Sequence, residues 1–326
     1  MIFVGKAPYR ISLLGGGSDL DWFCKENSYG LSLGFAINMY SYSVLNKLPN
    51  SAKFGTINYS SREIYKNEED IVHPLIREAF KIVKLRNYVE VSSYGSASGG
   101  SGLGGSSSFL VSLLSALSKS LNLNWDNSLI AKVACDIEIL KLLKPIGRQD
   151  QYLSSLGGIS YLQFEKDGNV KINQLSNEKN LLLRKLINNF YLIPTNKTRN
   201  ADQILSSIKN DPSSKSKIFE LREIAKDFLD LKETREYVLE NIFHESVKES
   251  WKIKKNMNNV MNNVLEDQYE FLKNSIPHNW IRLLGAGGGG YFLVSVKEDF
   301  KDFDSISNIG KIKVSISETG AESNVF

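Results

Sequence analysis

Asp150 stands between two glutamines in "IGRQDQY" (146–152), just past the Pro145 and Gly147 that end a helical stretch. A carboxylate there, ahead of the Gly157–Gly158 pair, could orient or deprotonate a hydroxyl group; it could equally cap a turn. Glu138 lies on the helical stretch 126–143 before it and could ligate a divalent cation, or be a solvated or capping carboxylate. Near the N-terminus, "KAPYRISLLGGGSDLDWF" (6–23) gathers Lys6, Arg10, Asp19 and Asp21 around a Gly15–Gly17 turn. Gly16, Gly17, Ser18 and Asp19 could present a carboxylate to a polyol, or form a plain turn.

The largest glycine-rich run is "YGSASGGSGLGGSSSFLVSLLSAL" (94–117), which passes without a break into an apolar stripe of Phe109, Leu110, Leu113, Leu114 and Leu117. A flexible linker would not lead straight into so amphipathic a segment. Gly100-x-Gly102-x-x-Gly105 matches a dinucleotide fingerprint literally. The acidic residue that this motif needs about 20 positions later would be Asp126, but "LNLNW" before it is too short for the required strand. A Walker loop needs a terminal Gly-Lys-Ser/Thr, and the run has no lysine. What remains is an anion cradle: backbone N–H groups exposed by glycine, aimed at the ligand with the positive end of the following helix. Ser106, Ser107 and Ser108 fall in that helix's first turn, where a hydroxyl could reach a phosphate oxygen or a Mg²⁺ ion held by phosphates. Without a loop lysine, neutralising charge has to come from metal and from elsewhere. A third run, "LLGAGGGGYFLVSV" (283–296), has more glycine than a hairpin turn requires and suggests close approach of a backbone or ligand. Together with Glu138, Asp150 and Arg10, these runs match what phosphoryl transfer needs: a metal carboxylate, a group acting on the acceptor, and a cation.

These residues must be placed by the elements around them. Helical patterns cover 73–86, the stretch after the glycine run, 126–143 with Asp126 as N-cap, and 181–189. Long charged helices follow at roughly 201–209, 213–230, 232–250 and 257–274. Strands are expected at the short apolar N-terminus, 40–48, 88–94, in an Asp167–Gly168 hairpin, and at "NFYLIPT" and "KIKVSIS". Strands and helices do not alternate regularly, so the expected class is α+β, in two domains, 1–178 and 179–326.

Four separated segments, in order, resemble the GHMP small-molecule kinase superfamily: "APYRISLLGGGSD", "GSGLGGSSSF", "IGRQDQY" and "GAGGGGYF". The first and third look most like those of heptose 7-phosphate kinases, which phosphorylate an anomeric hydroxyl on the way to nucleotide-activated heptose. The resemblance implies the GHMP fold and a sugar kinase using ATP and Mg²⁺. Asp150 would act on the sugar hydroxyl, Arg10 would lie near the transferring phosphoryl group, and Asp19 would bind sugar. Gly99, Gly100, Ser101, Gly102, Leu103, Gly104, Gly105, Ser106 and Ser107 would line the ATP phosphates, with Ser106 and Glu138 on the metal. Ala286, Gly287, Gly288 and Gly289 would close over the substrate. Arg199, in "TNKTRNADQIL", could grip a sugar phosphate or be a surface arginine. Gly105 departs from the superfamily's usual serine, removing one hydroxyl contact. A kinase for fucose or galactose, and a non-catalytic nucleotide-binding module, stay open beside this reading.

Composition narrows the class. A formal charge of +4 without a dense basic tract argues against nucleic acid or membrane as partner and leaves small molecules; a homo-oligomer stays open. Cys24 and Cys135 have no ligand-like neighbours and are expected to be free thiols in a reducing compartment. The N-terminus lacks the basic lead of a signal peptide, and a cytoplasmic location is expected. His73, His244 and His278 are isolated and expected at surface or capping positions.

Overall fold

The computed structural model describes residues 1–97, 99–197, 201–298, 300, 303 and 310–326. Among these, the first half holds strands β1 (Ile2–Leu14), β2 (Tyr29–Lys47), β3 (Gly55–Asn58), β4 (Arg62–Tyr65), β5 (Val89–Gly95), β6 (Ile159–Glu165) and β7 (Val170–Asn173). Its helices are α1 (Asp21–Asn27), α2 (Pro74–Val83), α3 (Gly105–Ser120), α4 (Asn127–Cys135) and α5 (Gln149–Leu156). The second half holds β8 (Phe190–Pro194), β9 (His278–Leu283), β10 (Tyr291–Val296), β11 (Ile312–Lys313) and β12 (Glu322–Val325). It also contributes α6 (Asn177–Ile187), α7 (Ala201–Asn210), α8 (Pro212–Asp230), α9 (Glu236–Lys255) and α10 (Asn263–Ser275).

Two sheets carry the molecule. The larger runs β12-β1-β2-β5-β3-β4, with the β6–β7 hairpin pairing to the other end of the long β2; the smaller runs β11-β8-β10-β9. β12 brings the chain's end back to β1, with Phe3 opposite Val325. One core cluster joins the sheets: Leu13, Leu33 and Phe35 pack with Phe190, Phe228, Phe243 and Trp280. A second fills the space between the large sheet and α2 and α3, around Phe3, Leu45, Phe80, Leu110 and Leu114. The α+β class agrees with the pattern read from the sequence.

Three expectations change. The N-terminal strand is not short: it runs through Leu14, so Arg10 sits on a strand rather than in a turn. The helix expected over 126–143 keeps its cap, Asp126 accepting from the Leu129 N–H at 2.7 Å, but is α-helical only to Cys135. It then widens into a π-helical turn, Asp136–Lys141, whose i→i+5 bond joins Leu142 N–H to Ile137 O at 3.0 Å. Such turns recur at functional sites, and this one carries Glu138. His244 is not at the surface: it is buried on α9 and accepts a 3.0 Å hydrogen bond from Trp280 Nε1.

Burial lowers the affinity of His244 for a proton, outweighing Glu240 and Glu245, which favour the charged form; Lys248 opposes it. His73 is lowered in the same way by burial. The unfolded chain therefore binds more protons than the folded one below the ordinary histidine pKa of about 6.5. The melting temperature should fall as pH drops from 7 toward 5.5, by at most about 1.4 kcal/mol of stability per pH unit for each such group. His244→Gln, melted across the same range, should show a shallower dependence.

Candidate active site

β5 leads into the glycine-rich loop, and the loop leads into α3. α3 opens at Gly104, which has a φ of 76° and no side-chain cap. By contrast α4, α6, α8 and α10 are each capped by a side chain. A Cβ on Gly104 would come 3.1 Å from Arg10 Cγ, so the left-handed turn and the tight approach to β1 both require glycine. β1 and the loop are tied by the Arg10 N–H, which donates to Leu103 O at 3.0 Å, and by Arg10 Nη1, which donates to Gly102 O at 2.7 Å.

Arg10 turns its remaining edge to Asp150. Nε donates to Oδ1 at 2.6 Å and Nη2 to Oδ2 at 2.5 Å, a bidentate fork in which the arginine is almost fully buried and the aspartate is partly exposed. Asp150 lies in the first turn of α5 rather than in a loop. Asp19 sets that turn: its carboxylate accepts from Gln149 N–H and Gln149 Nε2, each at 3.1 Å, and from Gly17 N–H at 3.1 Å. Gly147 lies so close that a Cβ would fall 1.9 Å from Asp19 Oδ2. Burial, and after it the charge of Asp150, push the Asp19 carboxyl above the usual range.

Glu138 has no exposed surface. It accepts from Ser106 Oγ at 2.9 Å, Ser107 Oγ at 2.7 Å, Gln151 Nε2 at 2.7 Å and Lys144 Nζ at 3.0 Å. It is neither a solvated carboxylate nor a backbone cap; it grips the two serines that open α3. These oxygens suit a hard divalent cation: Mg²⁺ typically takes one or two carboxylates and completes its shell with phosphate oxygens and water. Among the described residues no group of three or more His, Cys, Asp or Glu gathers as a metal cage, which that mode of binding does not require.

One cleft collects these groups. Its near wall is Arg10, Gly16, Gly17, Asp19, Gly100, Ser101, Gly102, Gly104, Gly105, Ser106, Ser107, Glu138, Lys144, Gln149 and Asp150. Its far wall comes from α7, α8, the end of α9 and the third glycine run, including Asp202, Ile208, Leu221, Lys254, Met257, Arg282, Gly285 and Ala286. Some expected site residues stand behind the wall. Ser18 is buried, stitching Gly15 O and Leu31 O together at 2.8 Å each. Leu103 points into the core, and Gly99 is exposed with open space around it. Gly287 packs on Val260 and Gly289 on Lys197 O, while Gly288 lines a separate depression beside Asn262. Arg199 lies outside the described residues.

The cleft also holds groups that no motif announced. Arg282 is buried on β9; Nη1 donates to Leu13 O, and Nε has no partner among the described residues. Burial alone lowers its pKa to about 10. Lys254 Nζ donates to Gly285 O at 2.6 Å. Lys144, from a neighbouring turn, donates to Ser106 Oγ at 3.1 Å as well as to Glu138.

The third glycine run meets the loop at Gly290. With φ at 99°, a Cβ there would fall 2.2 Å from Ser101 O. Gly290→Ala should push Ser101 out of place, costing about 1–3 kcal/mol of stability. It should also weaken nucleotide binding by about tenfold. Thermal unfolding with titration of a fluorescent nucleotide checks both.

Comparison with known proteins bears on the whole chain. Residues 72–158 match the GHMP kinases N terminal domain. A D-glycero-alpha-D-manno-heptose 7-phosphate kinase of Campylobacter jejuni is 28% identical over 304 residues, covering 89% of this chain and 88% of the relative. A crystal structure of a D-glycero-D-manno-heptose 1-phosphate kinase from Bacteroides thetaiotaomicron superposes with a TM-score of 0.75 at 21% identity, covering 99% of both chains. Lactococcus lactis galactokinase complexed with galactose gives 0.72 at 14% identity, over 100% of this chain and 95% of that one. The chain has the fold of these kinases, and its residues 72–158 match the GHMP kinases N terminal domain.

Proposed function

We propose that this kinase transfers the γ-phosphoryl group of ATP to the anomeric hydroxyl of a heptose 7-phosphate. The observation that carries it is the Arg10–Asp150 fork, which lines one cleft beside the glycine loop and is bonded to that loop at Gly102. In this reading Asp150 orients the sugar hydroxyl and takes its proton, while Arg10 fixes the Asp150 carboxylate by two hydrogen bonds and lies beside the phosphoryl group in transfer. Backbone N–H groups of the loop and the start of α3 hold the phosphates. Glu138 and Ser106 would hold Mg²⁺, which when bound offsets phosphate charge. Asp19, fixed on Gln149, sets the pitch of the first turn of α5 and walls the sugar end of the cleft.

The acceptor as a heptose phosphate is supported by the likeness to the Campylobacter jejuni heptose 7-phosphate kinase. Arg282 and Lys254 in the wall of the cleft supply positive charge that would suit a second phosphate. ADP release should be measured with ATP–Mg²⁺ and a panel of sugars and sugar phosphates. Heptose 7-phosphate should give the highest kcat/KM; higher turnover on galactose or fucose would replace the acceptor and keep the chemistry. Turnover with none of them, despite nucleotide binding, would favour a binding module.

A further inference from the structure

Lys144 is brought to the cleft by its own local structure. The π-helical turn ends at Lys141, Leu143 takes a left-handed φ of 52°, and the Lys144 N–H returns to Glu138 O at 3.0 Å. A left-handed conformation is uncommon outside glycine, asparagine and aspartate, and here it folds the lysine back over the carboxylate. Nζ lies 3.0 Å from Glu138 Oε1 and 3.1 Å from Ser106 Oγ, and those two oxygens are 2.9 Å apart. The three atoms form a nearly equilateral triangle at the edge of the glycine loop.

Glu138 and Ser106 are also the oxygens assigned above to a divalent ion. An ion at about 2.1 Å from both would lie within about 4 Å of Nζ wherever around the pair it sat. An ammonium and a dication at that separation repel strongly inside a partly buried cleft, so the pair can serve only one of them at a time.

We infer that Lys144 is a built-in stand-in for the divalent ion. It neutralises the buried Glu138 and lends positive charge to the nucleotide phosphates when no metal is bound, and the incoming metal displaces it. This rests on the proposal that the loop holds nucleotide phosphate. Its consequence is that nucleotide binding does not depend wholly on metal, and that the dependence is set by one side chain.

The test is titration of wild type, Lys144→Gln and Lys144→Arg with a fluorescent ADP analogue, in EDTA and in saturating Mg²⁺. In EDTA, Lys144→Gln should lose about tenfold or more in affinity, as expected for removing a charge-assisted contact. In Mg²⁺ it should lose no more than about threefold, because the metal has already taken the lysine's place. Lys144→Arg should keep the affinity in EDTA. Mg²⁺ alone should raise the melting temperature of Lys144→Gln more than that of wild type, because its competitor is gone; the same melts show that each variant folds. Equal losses in both conditions would mean that Lys144 only packs against Glu138, and would overturn the inference. So would a wild type that binds the analogue in Mg²⁺ but not in EDTA. If wild type binds it in neither, the nucleotide reading itself fails, and an equal Mg²⁺-only melting shift in wild type and Lys144→Gln overturns the inference separately.

Discussion

Asp150→Asn is expected to lower turnover by about 10²–10⁴-fold, the usual worth of a positioned general base, and to leave nucleotide affinity nearly unchanged. The two effects separate because Asp150 touches none of the loop. Its bonds run to Arg10 Nε and Nη2, and it is Arg10 that reaches Gly102 O. An asparagine of almost the same shape can still accept one hydrogen bond from the guanidinium. Its amide would face the other N–H donor, so the fork loses one bond and the acceptor hydroxyl loses its base. Asp19 would respond as well: the charge of Asp150 is one cause of its raised pKa, so its carboxyl should ionise more readily in the variant. Steady-state ADP release gives kcat, and titration of a fluorescent nucleotide gives the affinity. Turnover at the wild-type rate would remove Asp150 from the chemistry and with it the proposed mechanism.

The parts of this molecule that were legible in its sequence are those whose signals are local. α2, the start of α3 and the Asp126 cap follow from apolar spacing and short-range hydrogen bonding, and the hairpin follows from Asp167–Gly168. β2 shows where legibility ends. From Met39 to Leu45 buried and part-exposed residues alternate, and the strand is readable there. From Gly30 to Ile37 every residue is buried because both faces are covered, and the period of two vanishes. β3 and β4, four residues each, are too short to carry a pattern. The site divides in the same way. Glycine runs and an acid between two glutamines point to a phosphate cradle and a carboxylate near it. Nothing local in "KLLKPIG" says that Lys144 will sit on Glu138, because that depends on a π-helical turn and a left-handed leucine. Nor does "WIRLL" say that Arg282 will be buried with its guanidinium on Leu13 O, which depends on β9 lying against β1. Gly287 to Gly290 were legible as a place of close approach, but what approaches most of them is backbone.

Arg10→Ala is expected to reduce kcat by on the order of 10²–10³-fold, the range for removing one charge-stabilising donor from a transition state, and, unlike Asp150→Asn, to weaken nucleotide binding too. The guanidinium joins two parts of the cleft wall, donating twice to Asp150 and once to the loop at Gly102 O. Without it, Asp150 stands next to the buried Asp19 with no counter-ion in the fork. Arg10→Lys should recover part of the rate but not the geometry, because an ammonium cannot form two parallel bonds to one carboxylate and still reach Gly102 O. The decisive measurement is the double variant Arg10→Ala/Asp150→Asn. If the fork acts as one device, its kcat should lie close to that of the worse single variant rather than at the product of the two losses. Multiplicative losses would mean that the arginine acts on the phosphoryl group independently of the aspartate, and that their bond in this structure serves only to hold α5 against β1.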